Sequence, residues 1–516
     1  MQIQFDCSSL ANNNMYLSYS EAYFQFPILI TAKGTATNYS TTLNAFSLGL
    51  KNGYYQFIDS MQVDLNNQNI CQLQNNLNML VNYKLLTSMS QDELDKLGPI
   101  LGFYPDSSDS YTYSTISSAD GIGYCNNRNN TPSDVFTVRA DSNTGFYKRQ
   151  KDTVGNSTEI NTLATITGTS VNEREATYKA EGRNYYKAEG NGGTWVIIAT
   201  LRLKDLSDFF DKAPISRGLS LRFTININTF TATFSTVAAV VSPPAAATLS
   251  CTSYTQLSGH TCPIMIASCY DNNSNSAITT GTDLVVTCNI GSLSSTNIKP
   301  AISTTRLYVP AYRLDPDYAT SYIKDTSVST IRYYDYYTYT TDVGESGTFN
   351  TILTNGILNP KCLVIMPFIK NTSTNVGSLN LNQFQSPFDS AGGTTAPEVS
   401  IINFQCMLAG SNVFNNIEQY SYSQFLDEFQ HLFAINGSNT TGINSGLIGK
   451  YQWDNAYRFY VCDLSRRIKF EDKIPKSVQI EGTNNTKLPM SYVCFLLFER
   501  SITLNANTGE IITSVP

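Results

Sequence analysis

Along most of the chain apolar residues fall at every second position in runs of five to ten, and the spacing of three and four that marks a helix is confined to a few stretches. The middle shows the pattern best. Residues 196–203 are a β-branched and aliphatic run, 205–214 form a loop with one apolar pair, Phe209 and Phe210, and 219–234 alternate as one half-buried strand should. Ser242-Pro243-Pro244 then cannot continue a ladder and reads as a linker. The order strand, Asp-Leu-Ser, charged loop, proline, strand returns near the other end. There Asp463-Leu464-Ser465 and Pro475 answer Asp205-Leu206-Ser207 and Pro214 at unequal spacing, so the two halves close alike.

The remaining pattern fills in around these two closings. Residues 14–31 predict a strand buried in its second part, and 43–65 a turn at Lys51-Asn52-Gly53 ahead of an alternating strand. Residues 71–86 fit a strand pair or a helix. Ser90 and Glu93 have capping-box spacing for a short helix that Gly98-Pro99 should stop. In the second half strands are expected at 251–270, 284–290, 306–312, 331–339, 361–369, 458–464, 477–481, 491–498 and 509–513. The longer helix is expected at 412–433, with Tyr422, Phe425, Leu426 and Phe429 on one face. Many short strands with few helices spell an all-β chain of two sandwiches, residues 1–240 and 241–516. Residues 106–193 are polar and Gly/Ser/Asn-rich, and read as a long loop insertion with short hairpins, suited to contacting a neighbouring subunit.

Composition sharpens this reading. A length of 516 residues suits two domains, and the excess of Tyr, Phe, Asn, Ser and Thr over charge, 15% of residues, favours strands and turns. The net charge is −7, and the first 127 residues hold only Lys33, Lys51, Lys84 and Lys96 as basic groups. Strong direct binding to nucleic acid is therefore not expected. The opening residues carry Asp6 and no apolar leader core, and the 11 cysteines sit singly in apolar runs, so synthesis inside a cell with all thiols reduced is expected.

Catalytic chemistry finds little material. There are 2 histidines. His260 stands two residues from Cys262, yet no third ligand is near, and His431 reads as an ordinary helix residue. Asp271, Asn273 and Asn275 begin like a calcium loop, but Ser276 and Thr282 stand where Gly and Glu are needed. Gly121-Ile122-Gly123 lacks the third glycine of a dinucleotide site. The aromatic run 331–339 offers rings for stacking a sugar, but fits core or interface packing better. No catalytic, cofactor or metal residues are assigned, and the chain is read as a non-enzyme.

Residues 45–60 with Leu50-Lys51-Asn52-Gly53-Tyr54-Tyr55-Gln56-Phe57, then 83–88, Leu97-Gly98, 208–218, Asn226 and Asn228 form a series of phrases continued by 331–335, 359–368, 422–429, 442–446, 457–466, 475–482 and 493–498. In this order the chain resembles the double jelly-roll major capsid proteins of polinton-like viruses and virophages. The resemblance implies two consecutive eight-stranded jelly-roll sandwiches with long loops and a few short helices. It also implies a homotrimer serving as a pseudo-hexameric capsomer in an icosahedral shell, in contact with neighbouring capsomers, penton and minor capsid or cement proteins, and located in the virion. The competing class is a secreted or surface β-sandwich adhesin or glycan-binding protein.

Overall fold

The computed structural model describes residues 1–11, 15–34, 46–106, 145, 149–151, 185–189, 192–237, 248–268, 283–291, 304–370, 379, 381–388, 401–416, 419–435, 445–465, 474–486 and 489–515. Its strands are antiparallel throughout and form two consecutive sandwiches, with a few short helices between them.

Among the described residues the C-terminal sandwich has nine strands in two facing sheets, eight in the two main runs and Ile511–Val515 added beside Met490–Leu504. One sheet runs Ser329–Val343, Met490–Leu504, Pro360–Ile369, Tyr460–Asp463; the other runs Thr348–Ile357, Lys476–Asn484, Ile401–Leu408, Ser411–Asn412. In chain order that is first, eighth, third, sixth against second, seventh, fourth, fifth, the jelly-roll order. The alternation read in the sequence is what buries one face. Phe349 meets Tyr492 across the sheets at 5.2 Å and Phe404 meets Tyr460 at 6.0 Å. Met490–Leu504 is buried along nearly its whole length because it lies between two strands.

The N-terminal sandwich is larger. Gln2–Asp6, Leu221–Ile227, Ile58–Leu65 and Gln68–Cys71 make one sheet. Its partner runs Thr248–Ser258, Thr229–Val237, Asp283–Ile290, Tyr23–Gly34, Gly192–Arg202, Tyr185–Glu189, with Arg306–Tyr308 added beside Tyr23–Gly34. A third sheet joins Ile264–Ser268, Phe46–Leu50 and Gln150–Lys151. Phe24 packs edge-on against Phe223 at 5.4 Å, linking the first two sheets through the core.

Four expectations need correction. The alternating stretch 219–234 is two strands in two different sheets. Asn228 interrupts it, wholly buried, its amide donating to Gln56 O at 3.0 Å while its carbonyl oxygen accepts from His260 N and Thr261 N. The division at 240/241 also fails. Strands Thr248–Ser258, Ile264–Ser268, Asp283–Ile290, Arg306–Tyr308 and Ala311–Tyr312 all pair with strands that precede it. A Pro-Pro pair breaks a ladder locally but does not choose the sheet the next strand joins. The proline pair itself lies outside the described residues, and the change of sandwich comes at the helix Pro316–Asp325. The longer helix is Tyr422–Ile435, because Ser411–Asn412 is still extended and pairs back on Met407–Leu408. Finally, Gly98-Pro99 does not stop its helix. The capping box at Ser90 forms, the helix runs Gln91–Leu101, and Gly102 at φ 58° closes it while Phe103 N donates to Gly98 O at 3.0 Å.

The ambiguous stretch 71–86 resolves into strand Gln68–Cys71 and helix Leu77–Ser88. Most of 106–193 lies outside the described residues, and its reading as loops remains an expectation. What is described of it is anchored: Gln150–Lys151 and Tyr185–Glu189 enter sheets, and Arg149 forms a fully buried ion pair with Asp106 at 2.6 Å.

Candidate functional site

With no catalytic constellation read in the sequence, the contact between the two sandwiches is the candidate site. Its centre is the tyrosine-rich strand Ser329–Val343. Alternation puts Ile331, Tyr333 and Asp335 on a buried face, and residues 69–75 of the first sandwich lie along it. Tyr333 OH donates to Ile70 O at 2.8 Å and Tyr336 OH to Gln74 O at 3.3 Å. Thr338 Oγ1 donates to Asn75 O at 3.0 Å, and Gln72 Nε2 donates to the Tyr337 hydroxyl at 3.1 Å. The rings serve as interface packing, the reading the sequence favoured over a stacking platform.

A buried ion pair sits beneath these tyrosines. Arg500 Nη1 meets Asp335 Oδ2 at 3.0 Å with side-chain exposures of 7% and 4%. Arg500 also donates to Ile70 O at 3.1 Å and Asn69 O at 2.8 Å, while Gln72 N donates to Asp335 Oδ2 at 3.3 Å. One pair thus holds the 69–72 segment of the other sandwich from both of its charges. Burial pushes the Asp335 carboxyl above the usual carboxylate range, against the pull of Arg500 and of the Tyr336 and Gln72 N–H groups. Burial likewise works against the Arg500 charge, but Tyr333 and Asp335 outweigh it and its pKa stands above the ordinary value.

Three further contacts extend the junction. Lys51, fully buried after its turn, donates through Nζ to Ser386 O at 2.7 Å, and Cys262 N and Ile266 N donate to Phe384 O and Pro387 O. Leu447 N donates to Leu86 O at 2.8 Å. Gly218 and Gly509 meet backbone to backbone with φ of +77° and +74°; a Cβ on Gly509 would stand 2.3 Å from Gly218 O.

Both Asp-Leu-Ser phrases end at this junction. Each follows a strand of one sheet, Gly192–Arg202 or Tyr460–Asp463, and leads to a strand of the facing sheet. Asp205 is held by Arg202 at 2.7 Å and by the Tyr55 hydroxyl; Asp463 Oδ1 accepts from Ser465 N at 2.9 Å, and Asp463 N donates to buried Glu428 at 2.8 Å. Asp205 and Ser465 line one cleft of about 430 Å³ together with Lys84, Lys204, Asp208 and Lys361. Glu428 reads in the sequence as one more polar position on a helix, with no signal that marks it.

His260 and Cys262 do not form a pair. His260 is half-exposed and its Nδ1 lies 3.0 Å from the Asp59 carboxylate, whereas Cys262 is fully buried and its thiol donates to Ile264 O. The hydrogen bond to Asp59 raises the His260 pKa above its ordinary value, against partial burial. His431 lies on the helix Tyr422–Ile435 and its side chain is outside the described residues, as are the segments around Gly121 and Asp271. Among the described residues no group of three or more His, Cys, Asp or Glu is placed to hold a metal, and no helix is long and apolar enough to cross a membrane. Nine cysteines are described, all buried and free; Cys125 and Cys269 lie outside the described residues.

No protein-family profile matches the sequence, and no curated protein matches it. Among solved structures, a chain of the Sputnik virophage, determined by electron cryomicroscopy, is similar over 100% of this chain and 85% of its own, with 13% identity and a TM-score of 0.45. The VP54 protein of the virus PBCV-1, fitted into a Sputnik reconstruction, covers 100% and 93% at 8% identity and 0.40. The mavirus major capsid protein covers 99% and 86% at 9% identity and 0.40.

Proposed function

We propose that this chain is a major capsid protein that assembles as a homotrimer and tiles an icosahedral shell. The observation that carries the reading is the junction: two antiparallel sandwiches, the second a jelly roll, fixed to one another by a buried ion pair, buried tyrosine hydroxyls and backbone contacts. A body with two rigid lobes gives six lobes when three copies surround a threefold axis, and six lobes pack hexagonally. The ordered phrases of the sequence point the same way. The working place of such a protein is the virion, and its partners are other copies, penton and minor capsid proteins rather than the genome, in keeping with a net charge of −7.

The test is the state of the purified protein. Sedimentation and electron microscopy at micromolar concentration should show trimers with six-lobed outlines, and replacement of residues 156–184 by a short Gly/Ser segment should leave both sandwiches folded while weakening the trimer. A full-length chain that stays monomeric refutes the proposal.

A further inference from the structure

A second cavity, of about 250 Å³, opens at the edge of the junction where residues 74–76 and His260 of the first sandwich face Thr338, Thr340, Asn382, Phe384 and Gln385 of the second. We propose that it binds a neutral polyhydroxylated ligand, one pyranose ring of a glycan. The inference stands apart from the capsid reading, since it depends only on the single folded chain.

The lining chemistry selects the ligand class. Carboxamides and hydroxyls dominate it, and each carboxamide offers both a donor and an acceptor, which is what adjacent sugar hydroxyls require. Among the described residues no Lys or Arg lines the cavity, and the charge that His260 carries when protonated is matched by Asp59, so a phosphate, sulfate or carboxylate finds no uncommitted counter-charge. A metal cation is equally unsuited: the nearby carboxylate, Asp59, is 2% exposed and committed to His260. Among the described residues Phe384 is the one large apolar residue of the lining, too little for a hydrophobic ligand. The volume lies below the roughly 300–1,000 Å³ of sites for drug-sized ligands, which suits a single ring.

The polar lining groups are already positioned: Gln74 Oε1 accepts from Thr338 N at 3.3 Å, Gln385 Oε1 accepts from Asn382 N at 3.3 Å, and His260 Nε2 lies 3.3 Å from Asn75 Nδ2. Because the two sides belong to two sandwiches locked together, the pocket is formed before any ligand arrives, which lowers the ordering cost of binding.

The test uses the full chain and saturation-transfer NMR with the methyl glycosides of glucose, galactose, mannose, fucose and N-acetylglucosamine. A ligand of about a dozen non-hydrogen atoms should bind in the millimolar range. At least one glycoside should show transfer, and the double variant Thr340→Ala, Asn382→Ala should weaken it by roughly tenfold or more. Neither side chain is buried, so the variant keeps its fold, and an unchanged melting temperature verifies this. Absence of transfer from every glycoside, transfer that survives the double variant, or equal competition by inorganic phosphate overturns the proposal.

Discussion

Replacing Asp335 with Ala strikes the centre of the junction, and its cost can be worked out. The substitution leaves the Arg500 guanidinium 7% exposed, without its counter-charge and with only the carbonyls of Asn69 and Ile70 beside it. Removing one partner of a buried pair costs about 3–5 kcal/mol, mostly the penalty of the stranded charge. Unfolding entropy is about 2 cal/mol/K per residue, so 516 residues melting together give about 1 kcal/mol/K. The midpoint should therefore fall by about 3–5 °C in calorimetry if the sandwiches unfold as one unit. If they unfold separately the melt should split, because the lost contact is one of those that couple them. Asp335→Asn should be milder than Asp335→Ala, since burial already favours the neutral form at this position. Lys96→Ala serves as the control: its pair with Asp92 is 70% and 74% exposed and is worth less than about 0.5 kcal/mol. If Asp335→Ala melts like Lys96→Ala, in a single unshifted transition, the pair does not join the sandwiches.

Gly509→Ala should destabilise by more than about 2 kcal/mol in urea unfolding, because it adds a Cβ within 2.3 Å of Gly218 O at a positive φ; a neutral outcome means the backbones do not meet there. An NMR titration of His260 should give a pKa above its ordinary value, lowered by Asp59→Asn. The pair's contribution to stability is then complete below the unfolded pKa of about 6.5 and is lost as pH rises through the folded one, and a depressed pKa contradicts this. Burial pushes the thiols of Cys7 up to about 11 and of Cys71 and Cys251 up to about 12. A thiol reagent at neutral pH should accordingly modify at most Cys125 and Cys269 before denaturant is added, and fast reaction of more cysteines argues against the packing.

The local features of this fold were readable in the sequence because they depend on near neighbours. The capping box at Ser90 and Glu93, the turn at Lys51-Asn52-Gly53 and the strands Ser329–Val343, Pro360–Ile369, Tyr460–Asp463, Lys476–Asn484 and Met490–Leu504 follow from spacing alone, whereas Thr348–Ile357 and Ile401–Leu408 are not among the strands it predicts. The tyrosine run was readable as packing. What could not be read is long-range pairing. Nothing near Asp283–Ile290 says that its partner is Tyr23–Gly34, and nothing in the alternation of 219–234 says that Asn228 turns the chain into another sheet. The small cavity escaped for the same reason: Asn76, His260 and Asn382 are unremarkable singly and become a site only when two sandwiches bring them together.

The pairing of Tyr23–Gly34 with Asp283–Ile290 also sets a schedule for the ribosome. Leu284 lies opposite Gly34, 250 positions later in the chain. At about 5–20 residues per second the early strand therefore waits on the order of 10–50 s for that neighbour. During this interval one of its edges offers unpaired N–H and C=O groups beside Phe24, Phe26 and Ile28, residues that end up wholly buried. Many copies made at once in one cell would meet edge to edge in that window, so the yield of folded protein should depend on how slowly they are made and on what chaperone shields the waiting strand.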